Sequence, residues 1–259
     1  GTAVDTPAEL NALAAAAKLV ADIAAKDQPF APPLTAAEAS TLAAALTTLG
    51  VPGVTPDNAA ALAQAIAGAS PAPASVAGLA ALAKAQTDAI NKIDAFAGAQ
   101  ADNSASGTGL QSIADGGTGA NASTPGIADY KAAGITGVTL GNVAAINAAL
   151  QSSTIGASEV STAPKIDAIV AAVNHIQAAA NGGTGDPADG SLSAAAAALT
   201  SADYVSAGLD NSAGILPPAS GTPTAVQTAT LALLSSAVDK AAGTAVDTPA
   251  ELNALAAAA

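Results

Sequence analysis

One histidine, His175, stands among the 259 residues. With Asp167 eight residues earlier on the same helical pattern, it could be held by a carboxylate and take a proton from a serine, as in a hydrolase triad. No G-x-S-x-G elbow accompanies it, and the chain contains no cysteine, so nucleophilic catalysis lacks its usual parts. The carboxylates are mostly scattered singly, which leaves paired acid/base chemistry without a site. No enzymatic activity is expected, and His175 reads as an interfacial side chain on a structural helix. The stretch "NGGTGDPADG" is the better ligand candidate. Asn181, Asp186 and Asp189, with the carbonyls of a flexible loop, offer the oxygen ligands that Ca²⁺ takes. The plainer reading of the same loop is a solvated turn, so no cofactor is expected and Ca²⁺ is the one ion to test. Asn121 to Ser123 spells an N-glycosylation acceptor, though one such triplet is expected by accident. Lys18, Asp22 and Lys26, and again Lys84, Asp88 and Lys92, are charges at four-residue spacing that stabilise a solvent face.

Chemistry of this kind needs elements to carry it, and composition limits what they can be. Two Phe, two Tyr and no Trp or Met leave Ala, Leu, Val and Ile to build the core. Small side chains bury little area each, so thin layers of closely approaching Ala-rich helices are expected in place of one thick core. Seven basic against twenty acidic residues give a net charge of −13, which offers phosphates nothing to bind and makes nucleic acid an improbable partner. No apolar run reaches the length of a membrane span without an interrupting Lys, Asp, Gly or Pro, so this segment is not expected to insert into a membrane. The lack of cysteine fits an exported surface protein.

Repetition is the strongest signal. Gly1 to Ala17 returns letter for letter at Gly243 to Ala259, setting a period of 242 residues. Ala259 falls where the first copy is still running as "AAAAKLVADIAAK". Both ends are therefore expected to be boundaries within a longer tandem array. A fainter repeat lies inside the period: "GVPGVTPDNAAALAQAI" from Gly50 aligns without gaps on "GITGVTLGNVAAINAAL" from Gly134, and "ADYKAAGI" at Ala128 returns as "ADYVSAGL" at Ala202. Three diverged units are expected at 1–70, 71–156 and 157–242, with 243–259 opening the next period.

Thr6, Pro7 and Glu9, repeated as Thr248, Pro249 and Glu251, and Thr35 with Glu38, combine an N-cap, a first-turn proline and a capping-box acid. Thr-Pro pairs at Thr55, Thr124 and Thr222 also precede helix-like runs. Leu10, Leu13, Ala17 and Val20, then Ile166, Ile169, Val173 and Ile176, fall at the spacing of a buried helical stripe. No stretch alternates with period two. The expected fold is all-α, a tandem helical repeat array that is extended and not globular. Repeat proteins are held by contacts between neighbours, so Leu10 and Leu13, and Leu252 and Leu255 one period later, are the expected inter-repeat packing residues.

The run "GITGVTLGNVAAINAAL", preceded by "ADYKAAGI" and followed by "KIDAIVAAVNHIQ", resembles the Ala/Val-rich helical tandem repeats of very large repetitive bacterial surface and adhesin-type proteins. The resemblance covers the second unit into the third well and the first partly; "GLDNSAGILPPASGTPTAVQTATLALLSS" departs from the Gly-Val-Thr-x-x-Asn core. It implies export to the cell surface or matrix and a structural or adhesive role among further copies of the repeat, in cis and in trans. The expected function is the shaft of a surface filament or matrix fibre. The alternative is a passive spacer, or a weak, Ca²⁺-dependent ligand-binding region, of a large adhesin.

Overall fold

The computed structural model describes residues 6–26, 34–103, 124–180 and 192–259. Among these residues every regular element is a helix and no strand occurs, so the chain is all-α. In order they are α1 Pro7–Ala24, α2 Ala36–Thr48, α3 Pro56–Ala67, α4 Val76–Asn103, α5 Ile127–Ala132, α6 Val143–Leu150, α7 Ala157–Val160, α8 Ala163–Ala180, α9 Ala194–Ala197, α10 Ser201–Ser206, α11 Ala225–Lys240, a 3₁₀ turn Gly243–Ala245, and α12 Pro249–Ala258.

The helix starts follow from their capping residues. Glu9 and Glu38 accept the backbone N–H of Thr6 and Thr35 at 2.9 and 2.7 Å while the threonine hydroxyls accept in return, so orphan donors at each N-terminus are satisfied. Thr248 and Glu251 repeat the box, as do Thr200 and Asp203. At the expected start near Thr222 the helix begins two residues later. Thr224, paired with Gln227, has the glutamine that completes a box, and Thr222 does not.

The chain divides into two compact units, one made of residues 1–92, 128–136 and 161–164, the other of 93–127, 137–160 and 165–259. Expected boundaries after residues 70, 156 and 242 lie between α3 and α4, at the start of α7 and at the start of the 3₁₀ turn; the chain passes between the two compact units within α4, α5 and α8 and after residues 136 and 160. In the first unit α1, α2 and α3 pack on one another around Val20, Ile23, Leu42, Leu46, Leu62 and Ile66. Each buried aliphatic side chain contributes about 1.5–3 kcal/mol, and alanines such as Ala39, Ala43, Ala59 and Ala63 let the helix axes approach. In the second unit the wholly buried side chains include Ile146, Leu150, Ile166, Ile176, Tyr204 and Leu209.

Candidate functional site

Among the described residues the same helix ending occurs at three glycines. The N–H of Val51, Ile135 and Leu209 donates to the carbonyl of Leu46, Tyr130 and Tyr204, in each case at 2.9 Å, and the N–H of Gly50, Gly134 and Gly208 donates to the carbonyl three residues back. This is a Schellman ending, whose penultimate residue must be left-handed. The three glycines have φ of 79°, 81° and 94°, a region that costs other residues about 1–2 kcal/mol. The tyrosines of the two "ADY" sequences are fully buried at these endings. Burial pushes both phenols up, that of Tyr204 to about 12, so they are packing groups.

A side-chain clamp follows each ending. Asn58 Oδ1 accepts the Thr55 N–H at 2.8 Å and its Nδ2 donates to the Gly53 carbonyl at 2.9 Å. Asn142 does the same to Thr139 and Gly137, both at 2.7 Å. In the third copy Gln227 takes the place of the asparagine: Oε1 accepts from Thr224 at 2.9 Å and Nε2 donates to the Gly214 carbonyl at 3.0 Å. The loop from glycine to threonine is eight residues longer there than in the other two, and the longer amide spans the changed geometry. Sequence alignment on Gly-Val-Thr-x-x-Asn lost this copy; the pattern of Thr three residues before an amide side chain would have kept it.

The duplicated segment is seen in two settings. In the second copy Leu252 is 2% exposed and Ala256 is buried. Leu252 faces a narrow crevice lined by Val173, Ile176 and Ala207. Asn253 Oδ1 accepts the Asp210 N–H at 3.0 Å. In the first copy the equivalent Leu10 is 62% exposed, and Asn11 and Ala14 are exposed with it. The helix that begins there, α1, buries Ala16 and, beyond the duplicated residues, Val20 and Ile23. Leu13 and Leu255 are half-buried in both settings. Of the four expected packing residues, then, Leu252 is fully covered, Leu255 and Leu13 partly, and Leu10 is open. Ala256 and Asn253 belong to the same face and were missed, because one is small and the other polar.

The structure corrects the histidine's expected partner. His175 Nδ1 lies 2.9 Å from Asp203 Oδ1, and Asp203 also accepts the N–H and hydroxyl of Thr200 at 2.8 and 2.6 Å. Burial raises the Asp203 carboxyl, but the hydrogen bonds from Thr200 and His175 outweigh it and hold the group below its ordinary range. Asp203 serves as the capping acid of α10, and His175 braces it from α8. Lys18–Asp22 and Lys84–Asp88 pair along their helices as spaced. Lys92 differs: it reaches Asp129 on α5 at 2.7 Å, a tie between helices where a solvent-face charge was expected. Asn181, Asp186 and Asp189, and the Asn121 triplet, lie outside the described residues. Among the described residues no group of three His, Cys, Asp or Glu is placed to hold a metal ion, and no helix is long and apolar enough to cross a membrane.

Comparison with known proteins finds no matching family model, no matching curated protein and no matching solved structure.

Proposed function

We propose that this chain is a structural segment of a tandem array, one 242-residue period followed by the first helix of the next, and that such periods build the shaft of an extracellular filament or matrix fibre. The two settings of the duplicated helix carry the reading. The second copy buries Leu252 and Ala256 against residues that precede it in the chain, and α1, which begins in the first copy and runs on past it, buries Val20 and Ile23 against α2 and α3. The repeated stretch is thus docked through Leu252 and Ala256 in one setting and open at Leu10 and Ala14 in the other, while α1 turns Val20 and Ile23, beyond the repeated residues, to its own unit. In a tandem array both faces of every such helix are covered, Leu10 and Ala14 by the preceding period. A helix with apolar residues over so much of its circumference is a buried helix by composition. Net negative charge, the absence of cysteine and the resemblance to large bacterial surface repeats support placement outside the cell.

Stability of a repeat array grows with the number of interfaces between neighbours. Chains of one, two and three periods, each ending in the 17-residue segment, are compared by calorimetry. Tm is expected to rise with each added period. Separate transitions at one unchanged Tm would remove the reading.

A further inference from the structure

We propose that the turn at Gly50 seats on a stripe of α11, Val226, Thr230, Leu233 and Ala237, of the preceding period, forming a second half of the joint between periods. The proposal rests on the tandem arrangement and extends it to residues outside the duplicated segment.

Two contacts within the chain show what such a turn does. A Cβ on Gly134 would lie 2.5 Å from Ala61 of α3, the sixth residue after Thr55 of the clamp. One on Gly208 would lie 2.7 Å from Ser152, the thirteenth residue after Thr139, just past α6. Glycine is required at both by close approach as well as by φ. The first turn sits against the helix that follows the previous clamp, and the second against the residue just beyond the end of such a helix. In the longer α11 both positions fall within the helix, where seven residues are two turns and so share one face.

Counted from Thr224, the third clamp, the same positions are Thr230 and Ala237. Leu233 lies between them on that face and Val226 precedes them. The stripe is open at its large side chains, with Val226 74% and Leu233 54% exposed, and half-buried at Thr230 and Ala237. The complementary vacancy is at Gly50. A Cβ there would meet nothing within 4 Å, although φ and hydrogen bonds match those of its two equivalents. Leu49 beside it is half-buried, where Ala133 and Ala207 at the same place are buried. Residues 39–56 and 225–238 contain no charged side chain, in a protein of net charge −13. Two uncharged surfaces of a strongly acidic chain can meet without the repulsion that like charges impose. The α12 segment follows α11 by only a short link, so the next period's turn is held at high effective concentration. The occupant is therefore the following copy of residues 47–53.

The chain contains no cysteine, so a single introduced thiol reports one position. In a chain of two periods, residues 1–242 followed by 1–259, Leu233→Cys is placed in the first or in the second period, with Ala237→Cys as a second position on the stripe. Labelling by a soluble maleimide is expected to be slower by roughly tenfold or more in the first period, where the stripe is covered, than in the second. Leu10→Cys in the same two periods reports the α1 face separately. Protection of Leu10→Cys in the second period, with equal labelling of both stripe positions in both periods, would overturn the Gly50 joint and leave the tandem arrangement standing. Free labelling of Leu10→Cys in the second period as well would overturn both.

Discussion

Replacing Asn142 by alanine isolates the energetic role of the clamp. Its side chain is 6% exposed, and it holds the Thr139 N–H at 2.7 Å, the Gly137 carbonyl at 2.7 Å and Asn174 Oδ1 at 2.6 Å. The Gly137 carbonyl keeps a partner after the change, since Asn174 Nδ2 donates to it at 3.2 Å. The N–H of Thr139, an exposed residue, turns to water, and the half-buried Asn174 oxygen is left without the amide. Leaving the Asn174 oxygen short of its partner costs about 1–3 kcal/mol, which with an ordinary cap of about 1 kcal/mol puts Asn142→Ala near 2–4 kcal/mol. Asn58→Ala breaks the equivalent pair of bonds at an exposed site, where water replaces the amide, and the cost falls to about 1 kcal/mol, that of an ordinary cap. Gln227→Ala, also exposed, belongs with Asn58. Urea unfolding followed by circular dichroism measures all three. Equal losses at Asn142 and Asn58 would refute the assignment of the difference to burial.

Other perturbations test separate parts of the structure. Gly134→Ala and Gly50→Ala share left-handed strain of about 1–2 kcal/mol, but Gly134 adds overpacking of about 1–3 kcal/mol against Ala61; thermal melts of the single-period chain should therefore separate them, and equal Tm losses would contradict the close approach. Leu252→Ala should loosen α12 by about 2–5 kcal/mol, while Leu10→Ala, with identical sequence neighbours, should stay within about 0.5 kcal/mol; hydrogen exchange reads each variant peptide by its altered mass, and equal opening would contradict the two settings. Asp203 has its carboxyl held below the ordinary value, so its stabilising contribution is complete above about pH 4. That contribution is lost as pH falls through the lower folded value. Asp203→Asn should then destabilise most at pH 6 and progressively less as pH is lowered below about 4, and a loss independent of pH would point to packing alone.

The helices were legible because their signals are local. Thr6 with Glu9, Thr35 with Glu38 and Thr248 with Glu251 are chain neighbours, and each box forms as spelled. Glycines Gly50 and Gly134 were visible as repeated letters, and their positive φ explains the repetition. The third clamp was hidden because a longer loop was matched by a longer amide, a substitution that preserves two hydrogen bonds and erases the alignment. His175 pairs with Asp203 across 28 residues, and Lys92 with Asp129 across 37; spacing along one helix holds no information on either. The duplicated segment shows the limit most plainly. Leu10 and Leu252 are one letter in one context, and only tertiary neighbours make the first exposed and the second buried.

The central claim is that this sequence is a period of a longer tandem chain, and the intact mass of the native polypeptide tests it most directly. The account predicts a mass several times the 24.0 kDa of these 259 residues, with the 242-residue period recurring in its peptide map. A native polypeptide near 24.0 kDa would contradict it.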